Sequence, residues 1–239
     1  MYFELLRPFF FMLGSQRVYH TIFGFTSFLL VIAIYLSTWV APTDFQQGEN
    51  YRIIYVHVPA AWMSLFIYVI ISITSFLFLV TKHPILNLFS RIGAKVGTLF
   101  TLLTLLTGCA WARPMWGTFW VWDARLTSVL ILLFIYLGAI RFSEISAEIG
   151  SIFICIGLIN IPIIKFSVNW WNTLHQPSSI TQFGASIHIS MLVPILFMFL
   201  SFFFLSILLV LIETRKFILK SYIFSLKDYK NLIDARAKA

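Results

Sequence analysis

Charge is scarce in this sequence. Of 239 residues only 11% are Asp, Glu, Lys or Arg, and 60% are hydrophobic. A water-soluble domain of this size needs far more polar surface. Cysteine is scarcer still: Cys109 and Cys155 stand alone in apolar stretches, and neither CxxC nor CxxCH occurs. That argues against a redox dithiol, a cysteine-based zinc site or a thioether-linked cofactor; the two read as small apolar residues in helices. Acidic residues are the rarer sign, 9 against 17 basic, for a formal net charge of +8. The basic residues are thinly spread between apolar blocks, which argues against nucleic acid and for a topological rule, positive residues staying on the side of insertion. A cleavable targeting segment is not expected, because the apolar stretch after Arg7 and Arg17 is too long for a signal-peptide core.

Long apolar runs dominate instead. His20–Val40, Val58–Val80 and Ile189–Ile212 contain no Asp, Glu, Lys or Arg, as membrane-spanning helices require. Three more spans are read near Val96–Ala112, Leu126–Ile140 and Ile149–Ile164, giving an all-α integral membrane protein of six helices in a single domain, 1–239, with lipid as its surroundings. The last three are short for a hydrocarbon core about 30 Å thick, so flanking Lys95, Arg141 and Lys165 are expected to snorkel and extend them. Asn160 and Pro162 predict a kink or early end in span five. With both termini inside, the inner segments hold Arg7, Arg17, Lys82, Arg91, Lys95, Arg141 and all seven basic residues from Arg215 onward. The outer loops hold only Arg52, Arg113, Arg125 and Lys165, so 13 of the 17 basic residues lie inside. The basic tail 213–239 reads as an inner surface helix or a frayed end.

All eight tryptophans fall on the outer side of this topology. An interfacial aromatic belt would enrich Trp at both faces; a flat aromatic ligand on one face explains the asymmetry, because indoles stack on large π systems. The outer loop 113–127 reads RPMWGTFWVWDARLT. Pro114 and Gly117 are expected to interrupt regular structure at its start. Trp116 and Trp120, four apart, would share one face of a short helix, with Trp122 elsewhere and Asp123 and Arg125 at the rim. An amphipathic helix lying in the interface is the plainer reading. Among the histidines, His20 and His83 sit beside inner basic residues, whereas His57, His175 and His188 lie on the outer side. Haem iron accepts one or two axial imidazoles, and Arg52, Arg113 and Arg125 are the outer arginines available to its two carboxylates. Interface hydrogen bonds and lipid headgroup contacts account for such residues equally well.

The segment WGTFWVWDARLT, 116–127, resembles the tryptophan-rich WWD signature of haem-handling membrane proteins, and RIIYVHVPAAW and VNWWNTLHQP resemble segments of the CcmC family within that superfamily. The likeness covers roughly residues 46–194 and is close in wording to mitochondrially encoded versions. It implies haem b held non-covalently at the outer face with His57 and His175 as the two axial ligands. Trp116, Trp120, Trp122 and Asp123 correspond to the platform, and no ligand role falls to His188. It also implies delivery of haem to a CcmE-like chaperone for cytochrome c maturation, association with CcmA, CcmB and CcmD, and no enzymatic turnover beyond promoting capture of haem by the chaperone. The expected location is the mitochondrial inner membrane with the site facing the intermembrane space, or a bacterial plasma membrane with the site facing the periplasm. A bis-His b-type cytochrome passing electrons, a haem transporter, and a structural subunit whose Trp loop docks only protein stand as alternatives.

Overall fold

The computed structural model describes residues 8–171, 175, 180–181, 184–185 and 187–238; Arg7, assigned above to an inner segment, lies outside them. Helix α1, Pro8–Tyr35, ends in a π-helical turn, Leu36–Val40. A 3-10 turn, Glu49–Ile53, leads into α2, Ile54–Thr81, followed by α3, Pro84–Trp116, and α4, Ala124–Ile145. Two short helices, α5 (Ala147–Gly157) and α6 (Asn160–Trp170), precede a minimal hairpin of β1, Ile180–Thr181, and β2, Gly184–Ala185. Helix α7, Ile189–Lys238, closes the chain. Among the described residues six helical segments are long and apolar enough to cross a membrane, α5 and α6 counting together as Ala147–Trp170. The protein is a six-span, multi-pass membrane protein.

The helices outrun the apolar stretches that announced them. Helix α3 is 33 residues long and runs past the apolar stretch 96–112 at both ends. Lys95 sits inside α3, its Nζ 3.1 Å from Glu213 Oε2 of α7. Hydropathy dips before Val96 because Asn87, Arg91 and Lys95 alternate there with small residues set in the interior. Ser90, Gly93 and Ala94 are buried against α2. Ser90 Oγ lies 2.8 Å from Thr74 Oγ1 and accepts from Ser75 Oγ at 3.0 Å, and an added Cβ on Gly93 would meet Ile71 Cγ2 at 2.4 Å. Small residues and hydroxyls suit helix contacts in lipid, where apolar side chains gain little by leaving the hydrocarbon.

The fifth span breaks at Leu158 and Ile159, just before Asn160. Pro162 falls in the first turn of α6, where its missing N–H costs little; the Leu158 carbonyl is taken by Ile161 N at 3.1 Å. Leu158 N turns to Cys155 O at 3.3 Å, which releases the Ile154 carbonyl. Tyr68 of α2 donates its hydroxyl to that carbonyl at 2.8 Å. Asn160 Nδ2 donates to Ser128 O of α4 at 2.9 Å. Tyr68 and Tyr136 are fully buried and meet edge to face at 5.2 Å, and Tyr136 donates to Ser64 O at 2.6 Å. Glycines make room for both: a Cβ on Gly97 would lie 2.2 Å from Tyr136 Cε1, and one on Gly157 would lie 2.2 Å from the Tyr68 hydroxyl.

Gly97→Val is therefore expected to cost on the order of 1–3 kcal/mol by overpacking and to lower the Tm in detergent. Gly24→Ala, where a Cβ meets nothing within 4 Å, is expected not to lower it. Equal melting of the two variants would contradict this packing.

Candidate functional site

One end of the bundle gathers the C-terminal ends of α1, α3 and α6 with the N-terminal ends of α2, α4 and α7. His57 lies one turn into α2. Its Nδ1 is 3.0 Å from Thr107 Oγ1 of α3. Gly108 leaves the ring its space, since a Cβ there would approach His57 Cε1 to 3.2 Å. His175 comes from the segment between α6 and α7. Its Nδ1 is 3.2 Å from Arg125 Nη1 of α4, and Arg125 Nε donates to Ser167 Oγ of α6 at 3.3 Å. Residues 172–174 and 176–177, which complete the resembling segment around His175, lie outside the described residues.

Two clefts meet along these imidazoles. One, about 340 Å³, runs toward Gln47, Tyr51 and His188. The other, about 330 Å³, runs toward Trp62, Trp116, Trp120, Arg125 and Lys165. His57, His175, Gly108 and Trp111 border both. Each is within the range of small-molecule sites, roughly 300–1,000 Å³. Trp111 and Trp116 meet edge to face at 5.1 Å, and Trp111 Nε1 donates to Gln47 Oε1 at 3.0 Å, pinning the loop after α1 to α3.

The tryptophan segment differs from the expected short helix. Pro114 sits inside α3, and the helix ends instead at Gly117, whose φ of 77° is left-handed, a conformation glycine adopts at no steric cost. Trp116 is thus the last residue of α3, while Trp120 lies in the irregular stretch before α4. Both border the second cleft, though not from one helix face. Trp122 packs edge to face on Trp120 at 5.6 Å, is 77% exposed and borders neither cleft. Asp123 caps α4, its Oδ1 accepting from Leu126 N at 2.7 Å, an arrangement worth about 1 kcal/mol.

The outer arginines separate. Arg125 borders the second cleft. Arg52 pairs with Glu49 and donates to the Ser37 carbonyl and, at 3.3 Å, to Ala41 O. Arg113 donates to Gly117 O at 3.0 Å and lies over the Phe119 ring. Neither Arg52 nor Arg113 borders a cleft. His188 borders the first cleft, and its Nδ1 accepts from Ser190 N at 3.3 Å. Sequence reading passed over Thr107, Gly108, Gln47 and Lys165. The signal was faint: Thr107 is one of four threonines in the run 98–112, set apart only by Gly108 beside it.

Two buried polar atoms here lack a partner among the described residues: Trp120 Nε1, a donor, and Asp123 Oδ2, an acceptor. Unpaired buried groups are costly, and the indole N–H suits a ligand carrying acceptors. No cluster of three or more His, Cys, Asp or Glu able to hold a bare ion occurs among the described residues. Two imidazoles beside shared clefts, indole walls and a rim guanidinium together suit a planar ligand with a metal at its centre and carboxylates at its edge.

Comparison with known proteins is extensive. Residues 1–227 match the family CcmC, described as Heme exporter protein C. The chain is 71% identical over 222 residues to a ccmC-like mitochondrial protein of cytochrome c biosynthesis from Marchantia polymorpha, covering 93% of this chain and 97% of that one. It is 60% identical over 216 residues to a protein of like description from Arabidopsis thaliana, covering 90% and 84%. It is 42% identical over 216 residues to Heme exporter protein C of Escherichia coli K12, covering 85% and 87%.

Gly108→Val sets branched carbons against the His57 ring. It is expected to weaken binding of protoporphyrin IX by about tenfold or more, on an overpacking cost of roughly 1–3 kcal/mol, as read by quenching of tryptophan fluorescence. Unchanged affinity would contradict the placement of the ligand along this edge.

Proposed function

The chain belongs to the CcmC family of heme exporter proteins, and from that premise we propose that it holds haem between His57 and His175 and hands it to a CcmE-like chaperone during cytochrome c maturation. Haem is the cargo, non-covalently bound. The observation that carries the reading is that imidazoles from two distant segments border the same pair of clefts beside Trp111. Bis-imidazole ligation fills both axial positions of iron and excludes small ligands while the porphyrin edge stays open to a partner.

The roles of the remaining residues follow from their contacts. Trp116 and Trp120 offer ring faces and edges to the porphyrin. Arg125 is the cation for a propionate, with Trp120 Nε1 a further donor nearby. Trp122, Asp123, Arg52 and Arg113 act on the frame: Asp123 starts α4, Arg113 fastens the end of α3, Arg52 ties the 3-10 turn before α2 to the chain at the end of α1, and Trp122 braces Trp120.

Polar groups deeper in the bundle support holding over transport. Asn160, Tyr68, Tyr136 and Thr101 are each committed to a backbone carbonyl, whereas transporters keep such groups for the substrate near the midplane. Ligands near the end of the bundle also differ from the buried ligands of an electron-transfer cytochrome. The basic residues at the opposite end orient the site toward the intermembrane space, or toward the periplasm in a bacterial setting. CcmA, CcmB and CcmD are the partners this reading assigns.

The full chain purified with haem is expected to show a six-coordinate, low-spin optical spectrum. His57→Ala and His175→Ala are each expected to lose that spectrum, and His188→Ala to keep it. Unchanged haem content and coordination in both of the first two variants would end the ligand assignment.

A further inference from the structure

Each imidazole has its Nδ1 within hydrogen-bond distance of one neighbouring side chain, and that neighbour's chemistry bears on where the ring carries its proton. Thr107 has one hydroxyl hydrogen, and its Oγ1 donates to Leu103 O at 2.7 Å, with Thr104 O at 3.1 Å. Toward His57 Nδ1, 3.0 Å away, that oxygen is left as the acceptor. With the Thr107 hydrogen on its own helix, His57 Nδ1 would carry hydrogen and the neutral ring would present an unshared pair on Nε2. His175 is the opposite case. Arg125 has no acceptor atoms, so His175 Nδ1, 3.2 Å from Nη1, must accept. The neutral ring then bears its proton on Nε2, the nitrogen a metal would need unprotonated. Metal-bound histidines ordinarily donate from the second nitrogen; His57 is set in that state and His175 is held out of it.

We propose that Thr107 and Arg125 hold the two histidines in opposite tautomers, so that His57 is the standing ligand and His175 ligates only after Arg125 has turned to a carboxylate of the cargo. This rests on the haem-binding reading above. Arg125 pairs more strongly with a carboxylate, in a bidentate, charge-assisted contact, than with a neutral imidazole nitrogen. Once it turns, the His175 proton passes from Nε2 to Nδ1 through water, with no change in oxidation state or in the ring's charge, and Nε2 becomes a ligand. Arg125 would thereby couple recognition of the propionate to completion of the axial pair. Thr107 and Arg125 are positioning residues in this scheme.

The haem-free full chain in nanodiscs, labelled with [15N]histidine, reads the tautomers directly. His57→Ala and His175→Ala assign the signals. The expected result is Nδ1–H for His57 and Nε2–H for His175, with the His57 preference lost in Thr107→Val and kept in Thr107→Ser. The same tautomer in both wild-type rings would overturn the proposal. Haem titration supplies a second readout. Thr107→Val is expected to weaken binding by about 10–100-fold, the usual effect of losing an outer-shell partner, and Thr107→Ser to restore it. Haem dimethyl ester, whose carboxylates are masked, is expected to give a five-coordinate, high-spin spectrum with the wild-type chain and a six-coordinate one with Arg125→Met. A six-coordinate ester complex of the wild-type chain would overturn the role of Arg125. Opposite tautomers together with an unchanged six-coordinate spectrum in both Ala variants would instead sink the ligand reading alone.

Discussion

A backbone carbonyl in hydrocarbon has no water to turn to, and leaving one unpaired costs several kcal/mol in order of magnitude. The break at Leu158 and Ile159 is tolerated because Tyr68 supplies a hydroxyl to the Ile154 carbonyl it releases. The break sets the course of α6, and α6 carries Ser167, which holds Arg125 at 3.3 Å. Arg125 in turn holds His175. A line of contacts therefore runs from a tyrosine in the middle of the bundle to an imidazole at its end. Gly157 belongs to the same line, since any side chain there would collide with the Tyr68 hydroxyl.

A protein that delivers its cargo has to bind without binding permanently. The two sides of this site differ in a way that suits the task. His57 is mounted on a long helix, backed by a threonine whose own hydroxyl is fastened to its helix. His175 belongs to a connecting segment and leans on an arginine that has a competing use. One ligand is built into the bundle; the other depends on contacts that cargo or a partner can exchange. Binding energy and release then reside in different elements, and loss of the weaker ligand leaves the stronger one still engaged.

Much of this was legible in the sequence, and its limits have physical causes. The six spans and the clustering of tryptophan at one end followed from apolar runs and charge bias. The lengths did not: α3 begins at Pro84, although Asn87, Ser90, Arg91 and Lys95 lower the hydropathy of its first turns. The break before Asn160 was anticipated from Asn160 and Pro162, whereas its stabilisation by Tyr68, 86 residues away, had no local trace. His57 and His175 could be named only through resemblance, since their spacing carries no information about convergence. Arg52, Arg113 and Arg125 look alike in sequence, and only contacts distinguish the one beside the cleft. Thr107 stood out only by its neighbour Gly108, because a threonine donating to its own helix is ordinary in any span.

The central claim is that His57 and His175 both reach the same iron. It is tested most directly by pulsed EPR on the ferric, haem-loaded full chain, labelled with [15N]histidine, in which His20, His83 and His188 are all replaced by glutamine. The prediction is a low-spin signal with hyperfine coupling to two axial imidazole nitrogens. A signal with one such coupling, or none, would contradict it.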